Sequence, residues 1–452
     1  PEVLATGKIL ASVGHAAFYT DPNLLALIIM KTFRMMFKYG LAPEHPFAFA
    51  GFGIVQAAGL WNFDAADKFG KLGLELVKKL GARDQESRTI FVYNALVRHW
   101  KYPMKDSIQP MLEGYRIGLE TGDLGFATFN LYFTEVHHIF TGRELSDLEH
   151  YMERNNRIIA GMKQGHTLTL QSMTWQSVLN LLGRCDNPVE LKGKAIDAEK
   201  LLPLWERTGN RGSLSVYWFV KSIMYSLFNE YPLALEASDE YRKYMDSQQG
   251  VLINRYAVLL DSVARLKVYK YASLPEKCKH RILIKINELK MRAWARSAPM
   301  NGSYMYDYMK ALSMWIIHGD MNGAEKLVEA AGGQCKEYGD FIVEGIASEI
   351  MAAEYRSINE NDKAKRYMAE AHACYVKWGA TGLLDKIKKM YPELVPSETG
   401  LSQNVDVVTT AKTRGDMSVA LDLSTVMQVS QVISSEIMLE RLLQKIMHMS
   451  VT

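Results

Sequence analysis

Apolar residues recur at intervals of three and four along nearly the whole chain as far as Pro392. One such run is Leu25, Ile28, Ile29, Thr32, Phe33 and Met36. This spacing puts side chains on one face of an α-helix. Strand-like alternation bounded by turn residues is hard to find. Prolines fall where helices should start, as at Pro22, Pro188 and Pro275, because a first-turn residue needs no amide hydrogen. Short breakers recur: "TGD" at 121–123, "GRCDNP" at 183–188, "HGD" at 318–320 and "NEND" at 359–362. The helices between them come to about fifteen to twenty residues with short connections, the signature of stacked antiparallel helix pairs. The pattern predicts an all-α chain built as an α-solenoid of tetratricopeptide-like helix pairs.

The repeat is clearest in the last third. "HGDMNGAEKLVEAA" and "NENDKAKRYMAEA" align with Ala324 on Ala364. "NEYPLALEASDEY" (229–241) has the same shape around Ala234, and "WNFDAADKFGKLGLEL" (61–76) is an earlier copy. In each, a turn leads to a small residue early in a helix, where Ala or Gly lets the two helices of a pair approach closely. Each repeat leaves an apolar face that its neighbour should cover.

The pattern changes after Pro392. Residues 1–395 are predicted to form the solenoid. The stretch 396–418 is polar, lacks helical periodicity and reads as a linker. Val419, Val426 and Ile433 then recur every seven residues, with Leu423 and Val429 filling in, and Leu439, Leu442, Ile446 and Met449 follow in a second register. Ser434 and Ser435 fall at the join, with Glu436 in the next first turn, as at a helix start. We read 419–435 as a coupling helix and 436–452 as the start of a truncated downstream domain. The chain opens on Pro1 and reads as an interior piece of a longer protein. Val426, Val429, Ile433, Leu439, Leu442 and Ile446 are the candidate coupling residues, and the first three form a seam suited to a two-stranded coil.

Charge and composition narrow the function. With 53 Lys and Arg against 50 Asp and Glu, the net charge of +3 implies neither nucleic acid nor an anionic membrane as partner. No apolar run is long enough to span a bilayer. The four cysteines, Cys185, Cys278, Cys335 and Cys374, are far apart and read as reduced thiols in a cytoplasmic protein.

Motifs for chemistry are missing. No phosphate loop is present, and "GFGIVQAAG" (51–59) lacks the third glycine of a dinucleotide fingerprint and reads as helix packing. "DKFG" (67–70) has no accompanying catalytic loop of a kinase. Glu135, His137 and His138 suggest a metal, but adjacent histidines on a helix face different ways. The most basic stretch, 276–296, reads as a helix whose apolar positions Ile282, Ile286, Leu289 and Trp294 supply the buried face and whose cations form a solvated stripe. No catalytic, cofactor-binding or metal site is expected, and no cofactor. For recognition the candidates are concave-face aromatics: Tyr93, Trp100, Tyr132, Trp175, Trp218 and Tyr225.

Several stretches carry a family resemblance. They are "YTDPNLLALIIMKTFRMMFKYGLAPEHPFAFAGFG" (19–53), "FVYNALVRHWKYPMKDS" (91–107), "GLETGDLGFATFNLYF" (118–133), the run 343–392 with its "WGA" at Trp378–Ala380, and "SQVISSEIMLERLLQKIMHM" (430–449). In that order they resemble the central region of the large hybrid signalling kinases of bacteria and fungi. Those carry a serine/threonine kinase domain, an AAA-type ATPase, a tetratricopeptide-like region, a GAF domain and usually a histidine kinase. The family's wording is poorly kept at "SAPMNGSYMYDYM" (297–309). The resemblance implies a non-catalytic regulatory segment linking an upstream ATPase to a downstream GAF and histidine kinase module. Its partners would be the other domains of the same polypeptide, an unidentified protein or small-molecule effector, and a second copy, in a homodimer through the C-terminal helix. The alternative is a freestanding helical-repeat scaffold that binds a peptide or RNA.

Overall fold

The computed structural model describes residues 21–395, together with residues 5–7, 9, 10, 13, 14 and 17. The linker 396–418, the coupling helix 419–435 and the segment 436–452 lie outside the described residues. Within them the chain is an all-α, solenoid-like helical repeat with no strand, and Lys192 and Asp197 form one isolated bridge. In chain order the helices are α1 (Pro22–Tyr39), α2 (Pro46–Ile54), α3 (Phe63–Leu80), α4 (Glu86–Phe91), α5 (Ile108–Thr121), α6 (Leu124–Phe140), α7 (Leu145–Gly161), α8 (Gly165–Leu181) and α9 (Ala198–Thr208). They continue as α10 (Arg211–Leu227), α11 (Tyr231–Arg242), α12 (Ile253–Tyr269), α13 (Leu274–Ser297), α14 (Pro299–His318), α15 (Met321–Tyr338), α16 (Phe341–Ser357), α17 (Asn361–Trp378) and α18 (Thr381–Met390). None of the described helices is long and apolar enough to cross a membrane.

Three of the four sequence breakers, at 121–123, 318–320 and 359–362, are turns that close one helix and open the next; at 183–188 the expectation is corrected, because Pro188 starts no helix and a loop runs from the end of α8 at Leu181 to α9 at Ala198. At "HGD", Gly319 takes the left-handed conformation (φ 71°) that ends α14, and the Asp320 carboxylate accepts from the Gly323 amide to cap α15. Such a conformation is strained for most other residues. Gly339 and Asp340 repeat the device between α15 and α16. In "NEND" and "NEYP" an asparagine, Asn359 or Asn229, takes the positive φ instead. The small residues do what the repeat required. Ala234, Ala324 and Ala364 are fully buried, in α11, α15 and α17, where each of these helices packs on the one before it. In the earliest copy Gly70 of α3 faces the Tyr93 ring so closely that a methyl group there would collide with it.

Successive helices pack on one another in series, and the main apolar core runs from Ala17 to Leu394, with a smaller one around Tyr115, Leu131 and Ile159. The repeats also touch far beyond their neighbours, which a simple nearest-neighbour array does not do. Asn301 at the start of α14 donates to the carbonyls of His99 (2.8 Å) and Tyr102 (2.7 Å). Gly142 packs on Gly339 and Phe341. Thr381 donates to the Leu182 carbonyl at 2.7 Å, and Lys386 to that of Leu227 at 2.5 Å. The later repeats therefore lie along the inner side of the earlier ones. The physical reason is in the inner helices. α6, α8, α10 and α16 are buried nearly all the way round, so each needs a second layer beyond its pair. The stretch 297–309 supplies Asn301 and Tyr304 to this inner joint.

Candidate functional site

The inner joint is where side chains from distant repeats converge. Its centre is an apolar cavity of about 50 Å³ between α6, α8 and α10, closed by Val251, Ile253 and Ile342. Tyr132, Phe133, Val136, Phe219 and Ile223 line it, with Thr174, Ser177 and Gln248 supplying the polar edge. For comparison, an apolar cavity of about 150 Å³ admits benzene. As it stands this one holds a few atoms, so a larger effector would have to part the two layers. A second apolar cavity of similar size lies between α1, α2 and the Phe91–Leu96 turn.

Four buried polar clusters lie within these layers; the first, second and fourth join separated repeats, and the third joins the successive helices α6, α7 and α8. At the first, His99 donates from Nε2 to the Gly250 carbonyl (2.7 Å) and accepts from Arg255 Nη1 at Nδ1 (2.8 Å). The fully buried Arg255 guanidinium also donates to the His99 carbonyl (2.8 Å) and stacks 4.2 Å from the Trp100 ring centroid. Burial draws Arg255 down to about 10 and holds His99 neutral, well below its ordinary value. At the second, the Asp340 carboxylate accepts from Tyr256 (2.7 Å) and Tyr304 (2.9 Å), and burial pushes its carboxyl up to about 6. At the third, Glu135 of α6 accepts from Asn155 of α7 (2.7 Å) and Gln171 of α8 (3.1 Å), and burial pushes it up to about 8. At the fourth, Glu349 of α16 accepts from Lys386 (2.6 Å), Tyr375 (2.8 Å) and Asn229 (2.6 Å). Buried charge is tolerable only when partnered in this way.

The six recognition candidates are not brought onto one surface. Tyr93 is buried against Gly70 and donates to Asp67 at 2.7 Å. Trp100 belongs to the first cluster, packed on Phe63 and Trp294. Tyr132 lines the central cavity and its hydroxyl pairs with Thr174 at 3.2 Å. Trp175 is buried, donates to Glu149 (3.3 Å) and carries Lys194 over its ring. Trp218 and Tyr225 are half-buried, Trp218 edge-on to Tyr217 and Tyr225 beside the Lys221 ammonium. The coupling candidates Val426, Val429, Ile433, Leu439, Leu442 and Ile446 lie outside the described residues.

The remaining motifs resolve as packing. "GFGIVQAAG" is the end of α2 running into a turn of π-helix. His137 is buried with Nδ1 donating to the Phe133 carbonyl (2.8 Å), and burial brings it down to about 4. His138 stands edge-on to Tyr151, with burial bringing it to about 3. No group of three or more His, Cys, Asp or Glu among the described residues could hold a metal. All four cysteines are free. "WGA" is structural too: Trp378 and Ala380 are fully buried and Gly379 ends α17 against Glu144.

One reading is corrected. The apolar positions expected to bury α13 are mostly outside: Ile282, Ile286 and Leu289 are exposed, and only Trp294 is buried. The face that packs carries His280, Ile284, Asn287, Met291 and Trp294. Its polar members are satisfied from α12, Asn287 donating to Asp261 (2.6 Å) and Ser262 (3.0 Å).

Compared with models of known families and with curated proteins, the chain matches none.

Proposed function

We propose that this chain is a non-catalytic regulatory segment of a multidomain signalling kinase, and that it passes a change in repeat packing to whatever follows residue 395. One observation supports this most. The last described helix, α18, is fastened to repeats some 160 to 200 positions earlier, through Thr381 on the Leu182 carbonyl and Lys386 on that of Leu227, and to α16 through Lys386 on Glu349. A shift between the two layers would therefore move the point from which the linker 396–418 departs. An effector that favours one spacing of the layers would bias that geometry, whereas equal affinity for both would change nothing. The sequence resemblance supplies the flanks: an ATPase upstream, a GAF domain and histidine kinase downstream, and a homodimer through the seam at Val426, Val429 and Ile433.

The flanking coding sequence tests the placement. A phosphate loop upstream and a GAF domain starting at about 436 are expected; unrelated flanks would overturn it. The coupling role is tested by sedimentation of the full-length protein carrying Ile433→Asp, which puts a charge into the seam. Loss of the dimer with the solenoid still melting as in wild type is expected. Unchanged assembly and signalling would refute the role.

A further inference from the structure

The central cavity is walled by three helices, and α18 is fastened to two of them. Val136 of α6, Val178 of α8 and Val220 of α10 line its walls, and Ile253 of α12 and Ile342 of α16 close it from the other layer. α18 holds the far ends of α8 and α10. Thr381 donates to the carbonyl of Leu182, the residue after α8, and Lys386 to that of Leu227, the last residue of α10. The same two helices reach the cavity through Leu181 and Met224, one and three residues before those carbonyls. Whatever sets the spacing of α8 and α10 at the cavity therefore sets the seat of α18.

We infer that this cavity is the effector site, and that its ligand is an uncharged apolar molecule the size of a dissolved gas or of the shortest hydrocarbons. Volume sets the size. A cavity of about 150 Å³ admits benzene, roughly 25 Å³ for each carbon, so the about 50 Å³ here has room for about two heavy atoms. The lining sets the chemistry. No Asp, Glu, Lys, Arg or His lines the cavity, so a charged ligand would be desolvated with nothing to pair with. The polar edge is already engaged within the protein. Ser177 donates to the Thr174 carbonyl (2.7 Å), Thr174 to the Leu170 carbonyl (3.0 Å) and Gln248 to Ser215 (2.6 Å). What the cavity offers is apolar surface, which favours an apolar occupant over water. The seat exists only while the layers keep the described spacing, so a molecule that fills it favours that spacing over a wider one. It thereby holds α8, α10 and the α18 fastened to them. This inference rests on the regulatory reading and deepens it, naming the ligand class and the path towards residue 395.

Xenon, a single large apolar atom, is the probe. Amide exchange in 381–390 is measured on the whole 452-residue chain with and without it. At a free concentration about tenfold above its Kd, xenon should slow exchange there about tenfold, because opening must first release it. Val220→Leu on α10 and Val136→Leu on α6 each push one more methylene into the cavity. Each should abolish the response, and where one fails to fold the other decides. Ala48→Val fills the second cavity instead and should keep the response. Formate, small but charged, should give no slowing. Exchange that xenon leaves unchanged in wild type, or a response that survives both filling variants, overturns the site. An equal response to formate overturns the ligand class. A xenon NMR shift that the filling variants abolish, with exchange in 381–390 unchanged, overturns the path through α8 and α10. The regulatory reading is judged apart from all of these, by the flanking coding sequence and the sedimentation of Ile433→Asp.

Discussion

Glu135 shows how far a single residue departs from what its neighbours in sequence suggest. "TEVHH" reads as a helix face with a candidate metal site. The two histidines could be judged locally, since neighbours on a helix diverge, and both are neutral packing residues. Glu135 could not, because its partners Asn155 and Gln171 come from two other helices. Burial raises its carboxyl from 4.5 to about 8. A carboxyl with a raised folded-state value binds its proton more tightly folded than unfolded. Its stabilising contribution is complete below the unfolded value and is lost as pH rises from about 4.5 through 8. At about 1.4 kcal/mol per pH unit, ionisation at pH 9 would cost on the order of 3–5 kcal/mol. Glu135→Gln keeps the shape without the charge. Urea unfolding should show the variant more stable than wild type at pH 9 and the two converging near pH 5. Asp340, raised to about 6, adds a smaller loss of the same sign over a lower pH range. A variant no more stable at pH 9 would show that Glu135 ionises without penalty.

At the scale of the helix, the sequence was most legible where one face is apolar and the ends are marked. The breaker at 318–320 ends α14 and starts α15, and that at 359–362 separates α16 from α17, because Gly319, Asn359 and the cap Asp320 act within a few residues; Gly339 with Asp340, and Gly379, do the same at further turns. The buried alanines follow from the same local logic. Ala364→Leu would force extra methylenes between α16 and α17 and should cost about 1–3 kcal/mol, read as a fall in the urea midpoint. α13 was misread for a physical reason. It has two semi-apolar faces, and the more aliphatic one is not the one that packs. The packed face contains His280 and Asn287, whose burial is compensated by Arg265, Asp261 and Ser262. Those partners are on α12 and invisible in the periodicity of α13. Ile286→Lys should therefore leave stability within about 0.5 kcal/mol of wild type; a loss of 2 kcal/mol or more would put that face back in the core.

For the whole molecule, the series of helix pairs was foreseeable and the second layer was not. Helices such as α6 and α16 have no polar face in sequence, but that alone does not say what covers them; the covering contacts come from residues up to about two hundred positions away. The Glu349 cluster is the contact on which the coupling reading depends. Lys386 is buried, its ammonium drawn below its ordinary value by burial and held up by Glu349, and it bridges α18 to the Leu227 carbonyl and to α16. Lys386→Met removes one charge and leaves Glu349 buried with only Tyr375 and Asn229 as donors. Breaking a buried pair from one side costs about 3–5 kcal/mol, while replacing both sides by apolar groups is often neutral. Lys386→Met should therefore unfold at distinctly lower urea, and its amide exchange should rise first in 381–390, since that helix loses its anchor. Lys386→Met with Glu349→Leu should recover most of the urea midpoint without restoring the hydrogen bond to Leu227. If the layers are coupled through this cluster, the double variant will be stable yet will still exchange faster in α18 than wild type. Wild-type exchange there in the double variant would mean that Thr381 and the apolar contacts hold α18 by themselves, and that the ion pair does not transmit the position of the earlier repeats.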